Sequence, residues 1–72
     1  MTTLEIINLI EADKKRRKVA PTHALLFEVI RKAEEYYPVC AREIVLAELE
    51  ELKNNQVITM GETINDKYIS IL

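Results

Sequence analysis

Cysteine, glycine and tryptophan are scarce: 72 residues hold one cysteine, one glycine and no tryptophan. The single thiol, Cys40, excludes an internal disulfide, and no Cys/His set stands at zinc-ligand spacing. One glycine cannot build a Gly-rich phosphate loop. No nucleophile stands beside a base at a recognisable spacing, so no catalysis, cofactor, metal or small-molecule substrate is expected. No apolar run approaches the ~20 residues of a membrane span. The opening residues Thr2, Thr3 and Glu5 lack the basic start of a secretory signal. A lone cysteine suits a reducing compartment, and the expectation is a cytosolic protein. Positive charge is also in deficit. Ten Lys and Arg face 12 Asp and Glu, for a net charge of −2, which does not recommend a nucleic-acid binder.

What the chain does have is amphipathic pattern. Its length allows one small domain with a thin stability margin, supported by well-packed helices or by a partner chain. Thr2 and Glu5 form a capping box for a first helix over residues 3–15, with Ile6, Ile7 and Ile10 on one face and Leu9 beside them. Pro21 breaks the pattern, and Val19 with Ala20 can supply a short edge strand. Thr22 is the natural cap of a second helix that ends at Tyr37 and Pro38. Leu26, Val29, Ile30, Ala33 and Tyr37 line one of its faces, with Leu25, Phe27 and Tyr36 on the shoulders. Glu28 with Lys32 and Arg31 with Glu35 are spaced for a solvated ion-pair ladder.

The third helix spans residues 41–54, and everything else is organised around it. Val45, Leu49 and Leu52 recur at steps of four and three, and Val57 and Ile58 follow closely as β-formers. Cys40 occupies its N-cap position, where serine would be neutral or mildly stabilising, and Asn54 and Asn55 can supply a left-handed terminus. The last stretch reads as a β-hairpin about a type I′ turn, Ile64-Asn65-Asp66-Lys67. That turn pairs Thr63 with Tyr68, Glu62 with Ile69 and Met60 with Ile71. It places Ile58, Met60, Ile64, Ile69 and Ile71 on one face.

The order of helix, short extended stretch, helix, tight turn, helix and hairpin resembles the winged helix-turn-helix family over nearly the whole chain. Pro38-Val39-Cys40-Ala41-Arg42-Glu43-Ile44, then Val45, Leu49 and Leu52, then Val57-Ile58 carry the resemblance. The fold class it implies is α+β, a three-helix winged helix-turn-helix with a C-terminal two-stranded β-hairpin wing and a short third strand near Val19. Gln56 departs from the family pattern, which often has glycine before the wing. That fold hosts DNA binders and protein-interaction modules alike.

In DNA-binding members the third helix enters the major groove with the side away from its core stripe. On this chain that side carries Glu43, Leu46, Ala47 and Glu50. Base edges and phosphates call for Arg, Lys, Asn or Gln, so conventional groove reading is disfavoured. The same four residues read as a protein interface, for a second copy or another protein. Lys14, Lys15, Arg16, Arg17 and Lys18 hold half of the positive charge and are the best nucleic-acid candidates, joined by Arg31, Lys32 and Arg42. The leading expectation is therefore a self-associating interaction or regulatory module with weak or accessory DNA contact. The alternative is a DNA-binding regulator that uses the basic segment on the phosphate backbone.

Overall fold

A computed structural model describes residues 1–72. Three helices pack against one face of a small antiparallel sheet. The elements in chain order are α1 (Thr3–Arg16), β1 (Ala24–Leu25), α2 (Leu26–Ala33), α3 (Ala41–Asn54), β2 (Ile58–Glu62) and β3 (Lys67–Ile71). The sheet runs β1-β3-β2, so the C-terminal strand lies in the middle. This α+β layout is compatible with a winged helix.

The centre is apolar and drawn from every element. Ile6 and Ile7 of α1, Val29 and Ala33 of α2, Val45 and Leu49 of α3, Ile58 of β2 and Ile69 of β3 are all buried together. Leu52 and Val57 pack against that cluster, so the stripe on the third helix is a core stripe as expected. The bounds of α3 are those that the spacing predicts. The Thr2–Glu5 capping box is formed, with the Glu5 backbone N–H donating to Thr2 Oγ1 at 3.2 Å and Thr2 N–H to Glu5 Oε1 at 3.1 Å. The Thr2 N–H, and after it the Thr2 hydroxyl donating to the same oxygen at 2.9 Å, hold the Glu5 carboxyl below its usual range.

Four expectations about strands, helix bounds, ion pairs and register need correction. First, the third strand is Ala24–Leu25, not the stretch at Val19 and Ala20. Ala24 pairs with Ile69 and Leu25 with Tyr68, because central β3 has a second edge to satisfy. Second, that pairing delays α2, which starts at Leu26 rather than after Thr22. It ends at Ala33, and the Glu35 and Tyr36 N–H groups bond only three residues back as the chain winds down toward Tyr37. Third, neither rung of the predicted ladder forms. Glu28 is taken by Lys14 at 2.7 Å and Lys32 by Glu35 at 3.1 Å.

Fourth, the hairpin register is offset by two residues. Ile58 faces Ile71, Met60 faces Ile69 and Glu62 faces Lys67, leaving residues 63–66 as a four-residue turn. None of these residues has positive φ, so no type I′ turn is present. Thr63 closes the turn instead: its N–H donates to the Asp66 carbonyl at 2.7 Å, and its Oγ1 accepts from Asp66 N–H at 3.0 Å. A shift of two keeps every strand side chain on its face, so the apolar inner face survives. Only Ile64 leaves it, for the tip, where it is 99% exposed.

The Asp66 carboxylate has a further task. Leu25, the N-cap of α2, has no side-chain oxygen to offer, and Asp66 Oδ2 accepts the Phe27 N–H at 2.9 Å from 39 residues away. The hairpin therefore caps the helix. Asp66→Ala should lower stability by about 1 kcal/mol, the usual value of a lost N-cap. Asp66→Asn should retain most of it. Urea denaturation of the three proteins checks this.

Positive φ occurs at Lys18 (57°), Cys40 (63°) and Gln56 (60°), and at no glycine. Lys18 and Gln56 each close a Schellman motif. Val19 N–H reaches back to the Lys14 carbonyl at 2.8 Å, and Val57 N–H to the Leu52 carbonyl at 2.9 Å. The left-handed residue is thus Gln56, not Asn54 or Asn55. Cys40, the N-cap, is left-handed rather than extended and makes no side-chain cap bond, so glycine or asparagine suits its backbone better than serine. Each of Lys18→Gly, Cys40→Gly and Gln56→Gly should stabilise by about 0.5–1 kcal/mol. In a domain of this size that is a rise of about 2–8 °C in Tm, measurable by thermal circular dichroism.

Candidate functional site

Two surfaces stand out, both built on helices whose other sides are fixed in the core. The first is the outer side of α3. Ala41, Val45 and Leu49 point inward at spacings of four and are buried. The ~100° advance per residue then turns Glu43, Leu46, Ala47 and Glu50 outward, and all four are exposed. Leu46 is 40% exposed. Glu50 reaches Lys53 at 3.7 Å, a surface pair of little energetic consequence. Leu46 and Glu50 also border a cavity of about 240 Å³ between α3 and the hairpin, shared with Met60 and Lys67.

The second surface is a groove of about 890 Å³ between α1 and α2. Leu9, Ile10 and Phe27 give it an apolar lining, and Leu9 and Phe27 are 44% and 49% exposed. Arg16, Arg17, Arg31 and Lys32 surround them, with Asp13, Glu28 and Glu35 interspersed. The Arg31 guanidinium lies over the Phe27 ring, 5.9 Å from its centroid.

The basic segment is not a uniform cationic surface. Lys14 is interior, 7% exposed, and its Nζ donates to Glu28 Oε1 at 2.7 Å and to the His23 carbonyl at 2.9 Å. Arg16 and Arg17 both bind Asp13, Arg17 at 2.8 Å. The Arg16 hydrogen bond, reinforced by Arg17, holds the Asp13 carboxyl below its usual range. Glu35 likewise raises the Lys32 ammonium above its own. Lys15 and Lys18 are exposed outside any ion pair, and so are Arg31 and Arg42. Arg42 is remote from residues 14–18. It opens α3, beyond the turn where the Tyr37 hydroxyl bonds the Met1 carbonyl, whereas residues 14–18 close the opposite end of α1.

Five of the eight candidate nucleic-acid contacts, Lys14, Arg16, Arg17, Arg31 and Lys32, line the α1–α2 groove, and Lys15, Lys18 and Arg42 do not, while the four candidate interface residues share the outer side of α3. Residue order alone puts Leu9 and Phe27 only on the flanks of their helices. The signal for them is that neither falls on the stripe of its own helix, which leaves a large apolar side chain facing water.

Supporting contacts hold both surfaces in place. Thr3, fully buried, donates its hydroxyl to Glu48 and ties α1 to α3. His23 stacks on Tyr68 at 5.4 Å between centroids, and the Tyr68 ring crosses Gly61, its cross-strand partner. A Cβ at Gly61 would sit 2.3 Å from that ring, which explains why the one glycine is where it is. No three His, Cys, Asp or Glu side chains converge as a metal site, and no helix is long and apolar enough to cross a membrane. Comparison with known proteins finds no match: no family model, no curated protein and no solved structure.

Proposed function

We propose that this chain is a winged-helix interaction module of the cytosol that self-associates through the outer side of α3, with DNA contact accessory at most. One observation carries the reading. The helix that would enter a major groove presents Glu43 and Glu50 on either side of exposed Leu46 and Ala47. Carboxylates in that position repel a phosphate backbone, and an exposed leucine in their midst gains nothing from a groove of base edges. It gains from burial against protein, by about 25 cal/mol for each Å² of apolar surface removed from water.

Sedimentation velocity across a concentration series tests this. The wild-type chain should exceed its monomer mass of 8.3 kDa as concentration rises. Leu46→Glu, with an unchanged circular dichroism spectrum, should stay monomeric. Monomers in both cases would remove the reason for treating this side of α3 as an interface. The unpaired cations Lys15, Lys18 and Arg31 support the competing reading of a DNA-binding regulator. Its signature is tight binding to duplex DNA with a steep salt dependence, read by fluorescence anisotropy at low and moderate salt. Weak binding is the expected result.

A further inference from the structure

The large exposed apolar side chains borne by helices are three, one per helix: Leu9 on α1, Phe27 on α2 and Leu46 on α3. Leu9 and Phe27 share the α1–α2 groove, and Leu46 stands alone on the acidic side of α3. The surroundings of the two sites differ in charge. Five cationic and three anionic side chains line the groove, whereas Glu43 and Glu50 flank Leu46, with Lys53 on Glu50 at 3.7 Å and Lys67 across the adjoining cavity.

We infer that the α1–α2 groove of one copy is the receptor for the α3 outer side of a second copy. The inference rests on the self-association proposed above and names the surface that completes it. In this arrangement Leu46 enters between Leu9 and Phe27, as an amphipathic helix lays its apolar side into a groove. Glu43 and Glu50 are about 10 Å apart along α3, at 1.5 Å per residue. They meet the cations that border the apolar centre, with Arg31 foremost because no carboxylate holds it in an ion pair. The Phe27 ring beneath the Arg31 guanidinium holds that charge at the edge of the apolar surface.

The two patches belong to different sides of one molecule, so the contact is head to tail. Each copy that docks leaves a free groove and a free α3, and assembly continues past two chains unless a ring closes. An α3-on-α3 contact would instead stop at a dimer.

Complementation of variants decides between these. Arg31→Glu disables the groove and Leu46→Glu disables α3; Leu9→Glu is a second groove variant should Arg31→Glu perturb folding. Each variant alone should self-associate at least tenfold more weakly than wild type by sedimentation velocity. Mixed in equal amounts, Arg31→Glu and Leu46→Glu should form a heterodimer and stop there, since together they hold one good groove and one good α3. Raising the salt from 50 to 500 mM should weaken this heterodimer several-fold. If the groove variants associate as wild type does while Leu46→Glu stays monomeric, the groove is not the receptor, although α3 remains an interface. A mixture that stays monomeric also overturns the inference. A monomeric wild-type chain overturns both this and the proposal on which it rests.

Discussion

Lys14→Met should cost about 2–3 kcal/mol of stability, while Lys15→Met, one residue along, should change it by less than about 0.5 kcal/mol. Both stand in one run of five basic residues. The contrast arises because Lys14 is 7% exposed and its ammonium joins two strangers, the Glu28 carboxylate and the His23 carbonyl. Glu28 Oε1 also accepts the Leu25 N–H at 2.9 Å, so one carboxylate satisfies both the start of α2 and the end of α1. Methionine fills the space but leaves that carboxylate without its counter-ion and the carbonyl without a donor. Breaking a fully buried pair costs about 3–5 kcal/mol. The Glu28 side chain keeps 27% of its exposure, so water recovers part of that. Glu28→Gln, which retains an acceptor for Leu25, should cost less than Lys14→Met. The double variant should cost less than the sum of the two, since both remove one interaction. Guanidinium denaturation of the four proteins measures the cycle.

A larger loss is expected from Leu49→Ala, about 3 kcal/mol within the 2–5 kcal/mol range for buried leucines. Leu49 is 2% exposed and packs where all three helices and the hairpin meet. A chain of 72 residues has a total stability of about 4–10 kcal/mol, so this one truncation removes a large share of it. Leu46→Ala, three residues earlier on the same helix, should change monomer stability by less than about 0.5 kcal/mol. The pair of leucines separates the two sides of α3, one side holding the fold together and the other open to solvent. Urea midpoints at a dilution where the protein is monomeric give both values.

How much of this could be read from residue order varies by element, and the reason is locality. Helix α3 was legible to the residue because Val45, Leu49 and Leu52 alternate with charge at helical steps and nothing distant interferes. The first cap was legible because Thr2 and Glu5 are three residues apart. The start of α2 was not, since its cap is Asp66, supplied from 39 residues away. Nor was β1, because two residues carry no periodicity and become a strand only through β3. The hairpin inner face survived an error in register, since the side-chain period of two does not distinguish slips of two. The burial of Lys14 had a faint signal. It lies seven residues after Ile7 and four after Ile10, on the apolar stripe of α1 continued by one turn. The outward position of Glu43, Leu46, Ala47 and Glu50 followed from the core stripe by subtraction, and the groove at Leu9 and Phe27 did not, because it takes two helices to make one.

The outer side of α3 is proposed to meet protein and not DNA. Nitrogen–proton correlation spectra of the wild-type chain test this most directly, recorded dilute, concentrated, and with duplex DNA at low salt. Concentration should move the amide signals of Glu43, Leu46, Ala47 and Glu50 while DNA leaves them in place. Signals there that ignore concentration and shift with DNA would contradict it.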